Sequence, residues 1–195
     1  METITKRYDK DDLQQAVRVL QTGGVILYPT DTVWGLGCDA TNEEAVRRIF
    51  SIKQREDSKS MLVLLDAPGK LQGYIPEIPD MAWDLIDIAQ RPLTIIYPNA
   101  RHLAKNLLAD DGSVGIRISK ERFSQALCAG LHRPIVSTSA NISGKPTPKN
   151  FSQIEEEILS QVDYVVRYRQ DDLSEAQPSS IIKLDLGNVI KVIRE

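Results

Sequence analysis

Thr30-Asp31-Thr32 sets one carboxylate between two hydroxyls, with Pro29 ahead of it and Gly35 and Gly37 behind. Glycine permits positive φ or close approach, so this loop suits a small polar ligand pressed against backbone. A simple hairpin turn would not need so much hydrogen-bonding capacity beside Trp34. A second loop, Lys53-Gln54-Arg55-Glu56-Asp57-Ser58-Lys59, carries three cations. Arg grips phosphate through paired bonds and Lys acts as a mobile charge, so the three could converge on a polyanion. A solvated charged turn fits the same residues. Arg117 shares a strand face with Gly115 rather than with Val114 and Ile116; inside a sheet such an Arg calls for an anion, whereas on an edge strand it needs none. In Ser137-Thr138-Ser139-Ala140-Asn141 an apolar strand gives way to hydroxyls and an amide. Such a row suits phosphate oxygens, or merely a turn.

Several usual catalytic parts are missing. No Gly-x-x-x-x-Gly-Lys-Ser/Thr loop and no Gly-x-Gly-x-x-Gly after a strand occurs. His102 and His132, the only histidines, fall in or beside expected helices away from these loops, which weighs against a serine or cysteine hydrolase. What remains favours positioning and electrostatic stabilisation.

The elements that must position these groups alternate along the chain. A helix holds Leu13, Ala16, Val17 and Leu20 on one face and ends at Gly23. Strand Val25 to Tyr28 follows, ended by Pro29. Thr41 and Glu44 form a capping-box pattern for a second helix, and Ser152 with Glu155 forms another further on. Strands are expected at Met61 to Leu65, Leu93 to Tyr97, Val114 to Ile118, Ile135 to Ser137, Tyr164 to Val166, Ile181 to Leu184 and Val189 to Ile193. Helical stretches are expected over Ile78 to Ile88, Leu103 to Leu108 and Phe123 to Leu131. This pattern predicts an α/β domain with a twisted, mixed, open sheet flanked by helices. Arg169 to Gln177 reads as a polar connector and a candidate lid.

The 195 residues are 42% hydrophobic and 26% charged, ordinary for one globular core. A net charge of −3 argues against a general nucleic-acid coat. Local basic surfaces remain, one at Arg47, Arg48, Lys53, Arg55 and Lys59 and one at Arg117, Lys120 and Arg122. Cys38 and Cys128, the only cysteines, read as buried hydrophobes of a reduced cytoplasmic protein. The longest apolar runs are too short to cross a bilayer, and no secretory signal is visible.

Taken in order, these segments resemble the YrdC-type threonylcarbamoyl-AMP synthase family. The resemblance rests on Pro29-Thr30-Asp31-Thr32-Val33-Trp34-Gly35-Leu36-Gly37, Lys53-x-Arg55, Pro92-Leu93-Thr94 and Val114-Gly115-Ile116-Arg117. Ser139-Ala140-Asn141-Ile142-Ser143-Gly144, Ser179-Ser180-Ile181-Ile182 and Val192-Ile193-Arg194 complete the collinear set. It implies one YrdC-like domain over residues 1–195, around a large cationic cavity, without the extra C-terminal domain of longer members. It implies ATP- and Mg²⁺-dependent condensation of L-threonine with bicarbonate to threonylcarbamoyl-AMP and pyrophosphate. Downstream transferase proteins would then place the group on adenosine in tRNA.

By the same resemblance Thr32, Arg117, Ser137 and Ser180 contact threonine. Arg55, Lys59, Ser113, Ser139, Thr147 and Arg194 contact the nucleotide, and Lys53, Arg55 and Asn141 brace the phosphates during catalysis. The residues themselves agree, cations suiting triphosphate and hydroxyls the amino acid, with Trp34 read as a wall of the pocket. No metal ligand is indicated. Glu56 stands where the family usually has proline, and Leu64 where some members have a threonine-contacting histidine. Ser137-Thr138-Ser139 is closer to the YciO paralogues than to the commoner Ala-Pro-Ser. Two rival readings follow: a YciO-like paralogue, or a module binding tRNA or double-stranded RNA.

Overall fold

The computed structural model describes residues 7–54, 61–187 and 189–195. Helix α1 (Lys10–Gln21) starts at Asp9, whose carboxylate accepts from the Asp11 amide, and the chain turns away at Gly23 with φ +81°. Strands β1 (Ile26–Tyr28) and β2 (Gly35–Gly37) come next, then α2 (Glu43–Ile52) and β3 (Leu62–Leu65). Helix α3 (Asp80–Ile88), β4 (Leu93–Tyr97), β5 (Val114–Ile118), α4 (Arg122–Leu131) and β6 (Ile135–Ser139) follow. The short α5 (Glu156–Leu159), β7 (Tyr164–Val165), β8 (Ser180–Leu184) and β9 (Ile190–Arg194) complete the order.

The strands join in one mixed sheet, ordered β7-β1-β2-β6-β3-β5-β4-β8-β9. Pairs β1–β7, β3–β5 and β4–β8 are parallel and the rest antiparallel. Period-two alternation sends side chains to two separate cores. Leu27, Leu36, Val63, Leu65, Ile95, Val114 and Ile116 pack with α2 on one face. On the other, Ile26, Tyr28, Leu64 and Ile135 pack under α1 and α4 through Ala16, Leu20, Phe123 and Leu127. Asp12, buried on α1, accepts from Tyr164 Oη at 2.7 Å and the Tyr168 amide at 2.9 Å, and so clamps the helix to the β7 edge.

The α/β architecture with helices on both faces is as the patterning indicates, but four local expectations are corrected. The Thr30 loop does close a hairpin, because Gly35–Gly37 pairs antiparallel with β1. Asn42, not Thr41, caps α2, accepting from the Glu44 and Ala45 amides, while Thr41 Oγ1 donates to Asp39. Ser152 caps nothing; it lies in a 3₁₀ turn (Phe151–Gln153) and donates to Asn150 Oδ1. The stretch near Leu103 to Leu108 contains only a 3₁₀ turn, Lys105–Leu107.

Candidate functional site

Helices α1 and α4 cover only part of their sheet face. The uncovered remainder is a cleft of about 260 Å³. Register explains its lining: Gly35 lies opposite Ser139, Leu62 between Ser137 and Gly115, and Thr94 between Arg117 and Ile181. All of these project to the same side. Because they include glycine, serine and threonine, the sheet has a hollow where larger residues would have built a core. Gly35 and Gly115 mark tight floor positions, where an added Cβ would stand 3.2 Å from Thr138 O and 3.2 Å from Thr94 Cγ2 respectively.

Arg117 supplies the cleft's buried charge; its side chain is 2% exposed. Burial pulls its pKa down, and Asp31 opposes that shift. The guanidinium donates to Thr32 Oγ1 at 3.2 Å, and its Nη2 lies 3.1 Å from Asp31 Oδ1. Asp31 Oδ1 is nevertheless off the hydrogen-bonding axis, and Arg117 Nε has no partner either. The hydroxyl polarity follows from counting protons. Thr30 Oγ1 donates to Val33 O at 2.8 Å and accepts from the Thr32 amide at 3.0 Å. The 2.9 Å contact between the two hydroxyls is therefore donated by Thr32. Thr32 Oγ1 thus faces the cleft with a lone pair and no free proton.

Across the cleft, Arg194 Nε donates to Ser179 O at 2.9 Å, and Ser179 Oγ lies 2.9 Å from Thr94 Oγ1. Burial, then the charge of Arg117, lowers the Arg194 pKa. Two guanidiniums on one cleft, with the charge of Arg117 felt at Arg194, are a ready receptor for an anion.

Thr32, Arg117, Ser137, Ser139, Thr147 and Arg194 all line this cleft. Ser180, Ser113, Lys53 and Asn141 are not among its lining residues. Arg55 and Lys59 lie outside the described residues. At β8 the wall is made by Ser179, just before the strand, and Ile181; alternation turns Ser180 to the side of Leu93. Ser113 lies beyond Gly115, and its amide donates to Asp111 Oδ1 at 3.0 Å. Lys53 is buried behind the wall, where Nζ donates to the carbonyls of Ser139 and, at 2.7 Å, Asn141. Asn141 in turn accepts from Ser139 Oγ and donates to Lys145 O at 2.8 Å. Both side chains brace the loop rather than reach into the cleft.

Trp34 packs on Phe151 in the α2-side core, because Val33 and Gly35 take the cleft-facing positions. Leu64 stands next to Arg117 in register but is sealed under α4. Thr94 and Ser179, which the family resemblance gives no role, also line the cleft. The basic clusters separate as well: Arg47 pairs with Glu44, Arg48 with Asp163, and Lys120 Nζ donates to Ala89 O at 2.6 Å. The connector Arg169 to Gln177 is tied at its start, where Arg169 Nη1 donates to Thr30 O at 3.0 Å.

A family model for Sua5/YciO/YrdC, described as "Telomere recombination", matches residues 18–195. A threonylcarbamoyl-AMP synthase of Pseudoalteromonas translucida is 33% identical over 187 residues, covering 94% of this chain and 98% of that protein. One of Xanthomonas euvesicatoria pv. vesicatoria is also 33% identical, over 186 residues, covering 94% and 98% respectively. Among solved structures, P. abyssi Sua5 complexed with L-threonine matches with a TM-score of 0.83 at 26% identity. That match covers 92% of this chain and 52% of Sua5, so the chain spans about half of Sua5's length. E. coli YciO matches with a TM-score of 0.84 at 26% identity, covering 97% of this chain and 91% of YciO.

Proposed function

The chain belongs to the Sua5/YciO/YrdC family, and from that premise we propose that it is a threonylcarbamoyl-AMP synthase. Its substrates are L-threonine, bicarbonate and ATP, and its products threonylcarbamoyl-AMP and pyrophosphate. The observation that carries this reading is the pair of arginines, Arg117 and Arg194, in one hollow walled by hydroxyls. Arg117 is suited to the threonine carboxylate and Thr32 Oγ1, an acceptor, to its amine. Arg194, with Ser139 and Thr147 on the same cleft, is suited to the nucleotide. Ser179 takes the place assigned to Ser180.

The amine captures bicarbonate, releasing water and leaving an N-carboxylate. That carboxylate attacks the α-phosphorus of ATP, and the α–β bridging oxygen departs with pyrophosphate. The chain holds the two reactants side by side and sets cationic donors against the developing charge. Among the described residues no group of three or more His, Cys, Asp or Glu side chains gathers to hold a metal. Mg²⁺, when bound with ATP, would neutralise charge on the triphosphate oxygens. Transfer to tRNA belongs to other, cytoplasmic proteins of the pathway. No helix of the described residues is long and apolar enough to cross a membrane.

The test is pyrophosphate release and product mass with ATP, threonine and bicarbonate, each omitted in turn. Release that needs all three is expected; release indifferent to threonine overturns the reading. The likeness to E. coli YciO, with Ser137-Thr138-Ser139, favours one alternative, a paralogue that binds nucleotide without threonine-dependent turnover.

A further inference from the structure

Arg117 would be expected to use its donors on the nearest carboxylate, and it does not. Asp31 Oδ1 stands 3.1 Å from Nη2, yet no hydrogen bond joins them and Nε is also unpartnered. Both groups are shielded, with 2% of the arginine side chain and 11% of the aspartate side chain exposed. An uncompensated guanidinium at such a depth is costly, so a nearby negative charge is needed to keep it there. A fully engaged, two-bond ion pair would meet that need but would fill the donor fork. The off-axis carboxylate compensates the charge through space and leaves donors for a ligand.

Asp31 can hold this placement because its loop is fixed on both sides. Pro29 sets the backbone before it, Arg169 donates to Thr30 O, and the Thr30 hydroxyl ties the Thr32 amide and Val33 O. We propose that Asp31 is a positioning residue: it sets the buried guanidinium of Arg117 for the carboxylate of an amino-acid substrate without consuming the donors that bind it. The substrate's identity rests on the proposed function, whereas the Asp31–Arg117 coupling does not.

Two measurements decide it, and Asp31→Asn keeps shape while removing charge. In initial-rate pyrophosphate assays this variant should raise the threonine KM about tenfold with the ATP KM within about twofold. Equal loss for both substrates, or no change, overturns the proposal. In urea unfolding, Asp31→Asn, Arg117→Met and the double variant form a cycle. A double variant less destabilised than the sum of the singles supports direct coupling, and additive effects overturn it. If the unaltered protein shows no threonine-dependent release, the synthase reading fails while the unfolding cycle still decides the coupling.

Discussion

Thr32 shows how much a single hydroxyl is constrained by its neighbours. Its proton is committed to Thr30 and one lone pair to Arg117, so only acceptor capacity faces the cleft. Thr32→Val removes that acceptor and leaves an arginine donor unmatched, whereas Thr32→Ser preserves both. Valine should therefore raise the threonine KM about tenfold, equivalent to about 1.4 kcal/mol, and serine should stay near the original value. Substrate-saturation curves for both variants check this, and a serine variant as impaired as valine would contradict the assigned polarity. At this scale alternation with Ile116 and Ile118 declares the face of Arg117, whereas Thr32, Ser137 and Ser139 are assigned through the family resemblance. It fails at Ser179-Ser180, where adjacent identical side chains leave parity undefined until pairing with β4 is known. Trp34 fails for a related reason, since β2 was not legible and its alternation could not be applied.

Elements decide whether those groups meet. Strands β4 and β5 could be read to their end residues because β-branched or aromatic residues recur along both, and β2 was missed because Gly-Leu-Gly has little strand propensity of its own. Pairing on both sides, with β1 and β6, makes it a strand. The same limit applies to Lys53, whose type suggests phosphate while its place suggests a clamp. Lys53 ends α2 and holds the β6 loop twice: its ammonium reaches Ser139 and Asn141, and its carbonyl accepts from the Ser143 amide at 2.8 Å. Lys53→Met would leave carbonyls without donors beside a cleft wall. We expect urea unfolding to report about 1–3 kcal/mol of lost stability, with nucleotide KM rising as Ser139 loosens. Full stability with lost turnover would instead mean that the ammonium acts on substrate. Farther along the sheet, Asp111 accepts from Lys183 Nζ at 2.6 Å and from the Ser113 amide, tying β8 to the turn before β5. These bonds, that to Lys183 first, lower its pKa from 3.8 to about 2. A carboxyl depressed on folding stabilises above its ordinary pKa and loses that contribution as pH falls towards 2. The urea midpoint of Asp111→Asn should therefore fall less steeply than that of the parent protein between about pH 4 and pH 2. Because the pair is exposed, this difference in slope should be modest, and the parent's advantage at neutral pH equally modest.

For the whole molecule, the sheet separates two cores that sequence patterning alone could not tell apart, since both faces of its central strands are apolar or small. One cysteine reports on each. Cys38 is buried in the core beneath α2, and Cys128 in the core beneath α1 and α4. Burial raises both thiol pKa values, that of Cys128 to about 12. Thiolate is the reactive species, so neither should be alkylated while its core is closed. Because the cleft is the uncovered part of the α1–α4 face, opening that core alone would dismantle the site while leaving the other intact. The shared strands argue against this: β3 gives Val63 and Leu65 to one core and Leu64 to the other, so neither core can open without disturbing the same backbone. Alkylation in rising urea, resolved by peptide mass, should therefore show Cys38 and Cys128 becoming reactive at one midpoint, coincident with loss of far-ultraviolet dichroism. Earlier labelling of Cys128 would show that the helices bordering the cleft open as a separate unit, and the shared-strand argument would then be wrong.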